Sequence, residues 1–197
     1  SDIGGFSGQT AITKELLIRW TQFGAMSPLM ENGGHGEHRP WMYDSETETI
    51  YRYFAKLHSQ LVPYLYSEGV RCHNQGVSLV TPKSGTWQYL IGEDLFVAAI
   101  YENTNSRSIA FPTGDNWIDY WNDDNVHAGG SNLSAYNVPL ERYPIFIRQG
   151  AFIPMNVRDG ITGHGSSQSA GYLTMLVYPA PLSGFTLRQE EKADIAF

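Results

Sequence analysis

Two periodicities divide this 197-residue sequence and predict a helical first part followed by an antiparallel β part. Apolar residues recur at helical spacing between residues 10 and 66; after Gly69 they fall into short runs separated by Gly, Asn, Asp and Pro clusters. With 42% hydrophobic and 13% aromatic residues the chain can bury a sizeable core, as one large domain or two small ones.

Taken in order, Ser1-Asp2-Ile3-Gly4-Gly5-Phe6 reads as the C-terminal end of a buried strand running into a glycine turn. A carboxylate and a ring at such a place suit a ligand, although aspartate is also a common turn residue. Ile12, Leu16, Leu17, Trp20 and Phe23 mark a first helix, capped by Thr10 or Thr13. A second helix, from about Thr47 to Tyr66, places Ile50, Tyr51, Phe54, Leu57, Leu61 and Leu65 on one side, and Pro63 kinks or ends it. Strands are expected within Leu95 to Tyr101, Ser108 to Phe111, Trp117 to Trp121, Ile145 to Arg148, Ala151 to Pro154 and Leu173 to Tyr178, the pattern of an antiparallel sandwich or barrel. The boundary falls near residues 67 to 76, and Gly160 to Gly171 reads as a flexible loop.

Between the helices, Pro28 to Trp41 is too rich in glycine to continue a helix, and it gathers Glu31, Asn32, His35, Glu37, His38 and Arg39. Such a loop suits hydrogen bonding to a polyhydroxylated ligand, with Trp41 nearby; the alternative is a solvated loop in which Arg39 braces a carboxylate. The spacing of His35, Glu37 and His38 matches neither a helical His pair nor a closed zinc set, so no metal is expected. His58 reads as a core histidine, and Trp87, Trp117 and Trp121 as core rather than as a sugar-stacking platform.

Cys72 stands alone, which excludes an internal disulfide and any multi-cysteine zinc site, and no nucleophile motif surrounds it. A net charge of -7 with no basic run argues against nucleic acid and against an anionic membrane surface. No apolar run is long enough to span a membrane, and the first residues lack a signal-peptide pattern. Asn132-Leu133-Ser134 fits a glycosylation acceptor, and localisation leans only slightly toward an extracellular or secretory setting.

The blocks Asp2 to Phe6, Glu15 to Ala25, Pro28 to Met30, Arg39 to Trp41, Leu61 to Tyr66, Tyr89 to Ala98, Trp117 to Trp121 and Pro139 to Pro154 together resemble, in order, the glycoside hydrolase family 31 enzymes. That family groups α-glucosidases, α-xylosidases and related transferases. The resemblance implies a fold of the α/β plus all-β class. It predicts the C-terminal part of a (β/α)8 TIM barrel over residues 1–70, then an antiparallel β-sandwich over 71–197, truncated at both ends. It further implies that Asp2 ends the seventh barrel strand and that the glycine-rich loop follows the eighth.

The family's nucleophile and acid/base aspartates would lie upstream of Ser1, so no catalytic residue is expected in this chain and the piece alone is expected to be inactive. The substrate-binding set implied is Asp2, Phe6, Glu31, Asn32 and His35, with no cofactor. The partners expected are an oligosaccharide or glycoside substrate and the remainder of the parent chain. Many members carry an arginine followed two residues later by a histidine after the eighth strand; here Glu31 and Gly33 stand there. Exchanging a charged donor for an acceptor predicts a different hydroxyl pattern or sugar. The reading from another class is a non-catalytic carbohydrate-binding or structural β-sandwich module.

Overall fold

The computed structural model describes residues 2–8, 11–180, 184–189 and 192–196. Helix α1 (Lys14–Ala25) starts at Thr13, whose hydroxyl accepts the Leu16 N–H at 3.2 Å. Thr10, the other cap candidate, lies outside the described residues. Helix α2 (Ser45–Gln60) is capped by Asp44, which accepts from the Thr47 N–H at 2.8 Å and from its hydroxyl at 2.7 Å.

Helix α3 (Val62–Gln75) follows after Leu61 alone, with Pro63 in its first turn, where a missing N–H costs nothing. The proline therefore marks a junction between two helices. α3 also runs past Gly69 to a left-handed cap at Gly76 (φ 68°), well beyond the Tyr66 expected from apolar spacing. Its buried face there is Ser67, Glu68 and Cys72, which apolar periodicity does not register.

Twelve strands follow among the described residues: β1 (Val80–Pro82), β2 (Gln88–Ile91), β3 (Leu95–Ala98), β4 (Ser106–Ala110), β5 (Trp117–Asp119), β6 (Asn122–His127), β7 (Asn132–Asn137), β8 (Ile145–Arg148), β9 (Phe152–Met155), β10 (Thr174–Val177), β11 (Thr186–Gln189) and β12 (Lys192–Ala196). Every ladder between them is antiparallel. A six-stranded sheet of order β1-β2-β3-β8-β5-β6 forms the centre, with the pairs β4-β7, β9-β10 and β11-β12 around it.

Alternation along the central strands fills two cores. Leu95, Val97, Ile145 and Ile147 join Phe54, Leu57 and Leu61 on the helical side. Phe96, Ala98 and Phe146 meet Ile109, Phe111 and Trp117 on the other. Phe54 is fully buried, with its ring edge toward Trp121 (6.2 Å) and Tyr143 (6.5 Å); truncating such a residue to alanine costs about 3–5 kcal/mol. Polar bonds join the same layers: Arg19 donates to Val138 O at 2.7 Å and Arg142 O at 2.8 Å, and buried Gln22 donates to Leu140 O at 2.7 Å.

Two expectations change. Trp117 is core, but Trp87 is 60% exposed with φ 52°, because it sits in the turn before β2 rather than on a strand. The 160–171 segment is held at its first half: buried Thr162 donates to Gln60 Oε1 at 2.6 Å, His164 Nε2 lies 2.6 Å from the Tyr120 hydroxyl, and Asp159 just before it pairs with Lys56 at 2.8 Å. No helix among the described residues is long and apolar enough to cross a membrane.

Candidate carbohydrate site

The strand-end segment at residues 2–6 and the loop at residues 30–41 lie side by side. Ile3 and Asn32 form a parallel bridge, the Ile3 N–H donates to Glu31 O at 3.0 Å, and the His35 N–H donates to Phe6 O at 3.0 Å. A parallel pair cannot come from a hairpin; it requires a crossover, and here α1 supplies it. All five residues expected to bind sugar therefore stand on two neighbouring segments.

Their exposures differ. Phe6 is 69% exposed, a ring free to stack. Glu31 and His35 are exposed, and Asp2 is half-buried at φ 44°, with its carbonyl accepting the Gly5 N–H at 2.7 Å in a tight turn. Asn32 is also exposed, but its amide nitrogen donates within the fold, to His38 O at 3.1 Å and to the Tyr51 hydroxyl of α2 at 2.8 Å. Only its oxygen is left for a ligand.

Glycine sets how closely the two segments approach. A Cβ on Gly34 (φ +140°) would fall 2.5 Å from Gly5 O and 2.7 Å from the Phe6 Cα, both backbone atoms that cannot yield. Gly4 (φ +88°) leaves room for the His38 ring, whose Nδ1 would lie 2.9 Å from an added Cβ.

The groups with metal-ligand chemistry are otherwise engaged. Glu37 takes Arg39 Nε at 2.8 Å and Nη2 at 2.6 Å as well as the Arg39 N–H at 3.0 Å, and these bonds hold its carboxyl at about 2. Arg39 thus braces the loop through a carboxylate. Both His38 nitrogens face backbone carbonyls, and no cluster of metal-ligating side chains occurs among the described residues. His58 is half-buried rather than core, with its Nδ1 3.0 Å from Ala25 O.

Sequence reasoning missed Tyr51 and the seating of His38, since neither belongs to a spacing pattern. The signal for Gly34 was present in the glycine density of the loop, without its reason.

Residues 1–68 match the model of the glycosyl hydrolases family 31 TIM-barrel domain, and residues 77–153 match that of the glycosyl hydrolase family 31 C-terminal domain. The chain belongs to glycoside hydrolase family 31. It is 32% identical to an isomaltosyltransferase of Sporosarcina globispora, covering 90% of this chain and 19% of that protein. To alpha-glucosidase 2 of Bacillus thermoamyloliquefaciens it is 30% identical, covering 78% of this chain and 21% of that protein. A cycloalternan-forming enzyme from Listeria monocytogenes, solved with a pentasaccharide substrate, superposes with a TM-score of 0.82 at 28% identity over 94% of this chain and 20% of that one. The chain thus spans about a fifth of the length of these relatives.

Proposed function

We propose that the chain is the C-terminal part of a (β/α)8 barrel with the β-sandwich that follows it, belonging to a retaining α-glycoside hydrolase or α-transglycosylase. The division falls near residues 67–76, where α3 ends at Gly76. The observation that carries this reading is the Ile3–Asn32 parallel bridge. It is the pairing that neighbouring strands of such a barrel make, and it ends with ligand-facing residues at one edge, as the C-terminal face of a barrel does.

In this reading Phe6 stacks on the sugar ring, Asp2 lies close beneath, and Glu31, His35 and the Asn32 oxygen meet hydroxyl groups. The substrate is an oligosaccharide or glycoside, a class supported by the pentasaccharide in the Listeria enzyme. Cleavage with retention needs two carboxylates about 5 Å apart across the bond, a nucleophile and an acid/base. Those are assigned to the part of the protein that precedes residue 1, and this chain supplies binding and orientation. Hydrolysis and transfer share the covalent intermediate, and relatives of both kinds match the chain.

Glu31 is the residue that separates this site from an arginine-bearing one. Because an acceptor left without its hydroxyl donor is costly, Glu31→Ala in the full-length protein is expected to lower kcat/KM on its glycoside by about tenfold or more. Steady-state kinetics on a panel of aryl α-glycosides and α-linked oligosaccharides checks this. Activity retained within a few fold removes Glu31 from the site, and no turnover of any α-glycoside by the wild-type protein overturns the functional reading.

A further inference from the structure

A groove of about 620 Å³ runs between α1 and the β part. Leu16, Trp20 and Phe23 line it from α1, where their spacing of i, i+4 and i+7 puts them on one face, and buried Ile100 joins them. Trp87 and Tyr101 stand opposite, and both are exposed, as is Leu16. The rim is acidic. Glu15 and Glu102 are exposed there, while Arg19 is engaged by Val138 O at 2.7 Å and Arg142 O at 2.8 Å.

The far wall is built to hold its two rings outward. Trp87 has φ 52°, a left-handed conformation that a bulky side chain adopts only where its surroundings fix it. Its carbonyl accepts the Ala99 N–H at 2.9 Å, and Arg107 donates to Thr86 O at 2.8 Å and also to Ala99 O. The same guanidinium lies 5.7 Å from the centre of the Tyr101 ring. One arginine thus ties the Trp87 turn to the segment that carries Tyr101.

The position of the groove on α1 says what fits it. Successive helices of a (β/α)8 barrel stand side by side, so each has one neighbour before it in the chain and one after. The neighbour after α1 is α2, against which α1 packs and to whose cap, Asp44, Lys14 is paired at 2.8 Å. At about 100° per residue, Lys14 and Leu16 point to opposite sides of α1. The groove therefore lies on the flank where the preceding helix belongs, and the matched relatives are about five times as long as this chain.

Resting on the barrel reading above, we propose that this groove docks one amphipathic helix of the intact protein, the helix that precedes the strand ending at Ile3. That helix is held on one side by α1 and on the other by Trp87 and Tyr101, so the β part braces a barrel helix upstream of the chain described here. Its apolar stripe covers Leu16, Phe23 and Ile100, which offer a sugar no polar side-chain atom. Lys or Arg residues beside that stripe meet Glu15 and Glu102.

Photo-crosslinking of the intact protein, with p-benzoylphenylalanine placed at Trp87, reads the occupant by mass spectrometry of the joined peptides. The expected partner is a peptide within about 40 residues before residue 1, the span of one barrel unit. A crosslink to a second copy of the protein, to a more distant segment, or to nothing overturns the proposal. A second arm compares Leu16→Glu with Leu16→Met. A charge forced beneath the docked helix is expected to lower the melting midpoint by about 5 °C, and the methionine by about 1 °C. Equal shifts mean that residue 16 stays in water, which also overturns it. Neither readout depends on turnover: an intact protein inactive on every α-glycoside loses the functional reading alone, and an active one with an empty groove loses only this inference.

Discussion

Two glycine-rich loops of this chain, residues 30–41 and 156–171, look alike in sequence and are fastened in opposite ways. In the first, two backbone bonds join the loop to residues 2–6, Ile3 N–H to Glu31 O and His35 N–H to Phe6 O, while the Asn32 amide and the His38 ring add bonds to main-chain carbonyls. Glu31 and His35 are thereby left facing outward. In the second, side chains do the fastening: Thr162 to Gln60, His164 to Tyr120 and Asp159 to Lys56, closing the seam between α2 and the sheets. Where backbone does the joining, as at Glu31 and His35, the side chains stay exposed; where side chains do it, as at Thr162 and His164, they are drawn into the fold.

The sharpest way to break the first loop is Gly34→Ala. Strain at φ +140° and the collision with Gly5 O should push the loop off Phe6. A displacement of that kind is expected to cost about a hundredfold in kcat/KM of the full-length protein, alongside faster amide exchange at His35. If kinetics and exchange are unchanged, the backbone anchoring described here is not what holds the site.

Thr162→Val tests the second loop. It leaves the buried Gln60 amide, whose nitrogen already lacks a partner, with its side-chain oxygen unpaired as well. The expected loss is about 1–3 kcal/mol in chemical denaturation, without a change in glycoside preference. A change in preference would mean that the two loops are not independent.

The smallest effect separates the loops by pH. Burial pulls His164 below the usual histidine range, with Asp123 opposing. A histidine lowered on folding contributes stability that is present above its unfolded value and lost as pH falls, so the second loop loosens from about pH 7 to about pH 5. His164→Gln should flatten part of the acid-side decline in melting temperature, and an unaltered decline removes His164 as its source.

Much of this was legible because apolar spacing reports buried faces. Helices α1 and α2, the central strands β3, β5 and β8 and the buried Trp117 follow from it. What escaped it was structure stabilised by polar or small groups. β6 (NDDNVH) and β7 (NLSAYN) are mostly exposed and offer no apolar run, and the end of α3 packs through Ser67, Glu68 and Cys72. Trp87 was misassigned to the core because hydropathy sees the ring and not the left-handed turn that carries it outward.

For the site, family resemblance supplied the residues and the glycines supplied the reason to expect a loop. The partners that hold it, His38 from within the loop and Tyr51 from the following helix, depend on distances no spacing rule encodes. Glu31 stood out only against the arginine that the family resemblance led one to expect after the eighth strand.

The bridge between Ile3 and Asn32 also has a kinetic meaning. Its two residues are separated by nearly thirty positions, and all of α1 lies between them. Closing so long a stretch for one pair of backbone bonds is unfavourable until α1 has formed and docked on α2 and on the 138–142 connection. The surface of the candidate site is thus expected to be among the last contacts to assemble and the first to open, so occupancy by a ligand would slow unfolding more than it speeds folding.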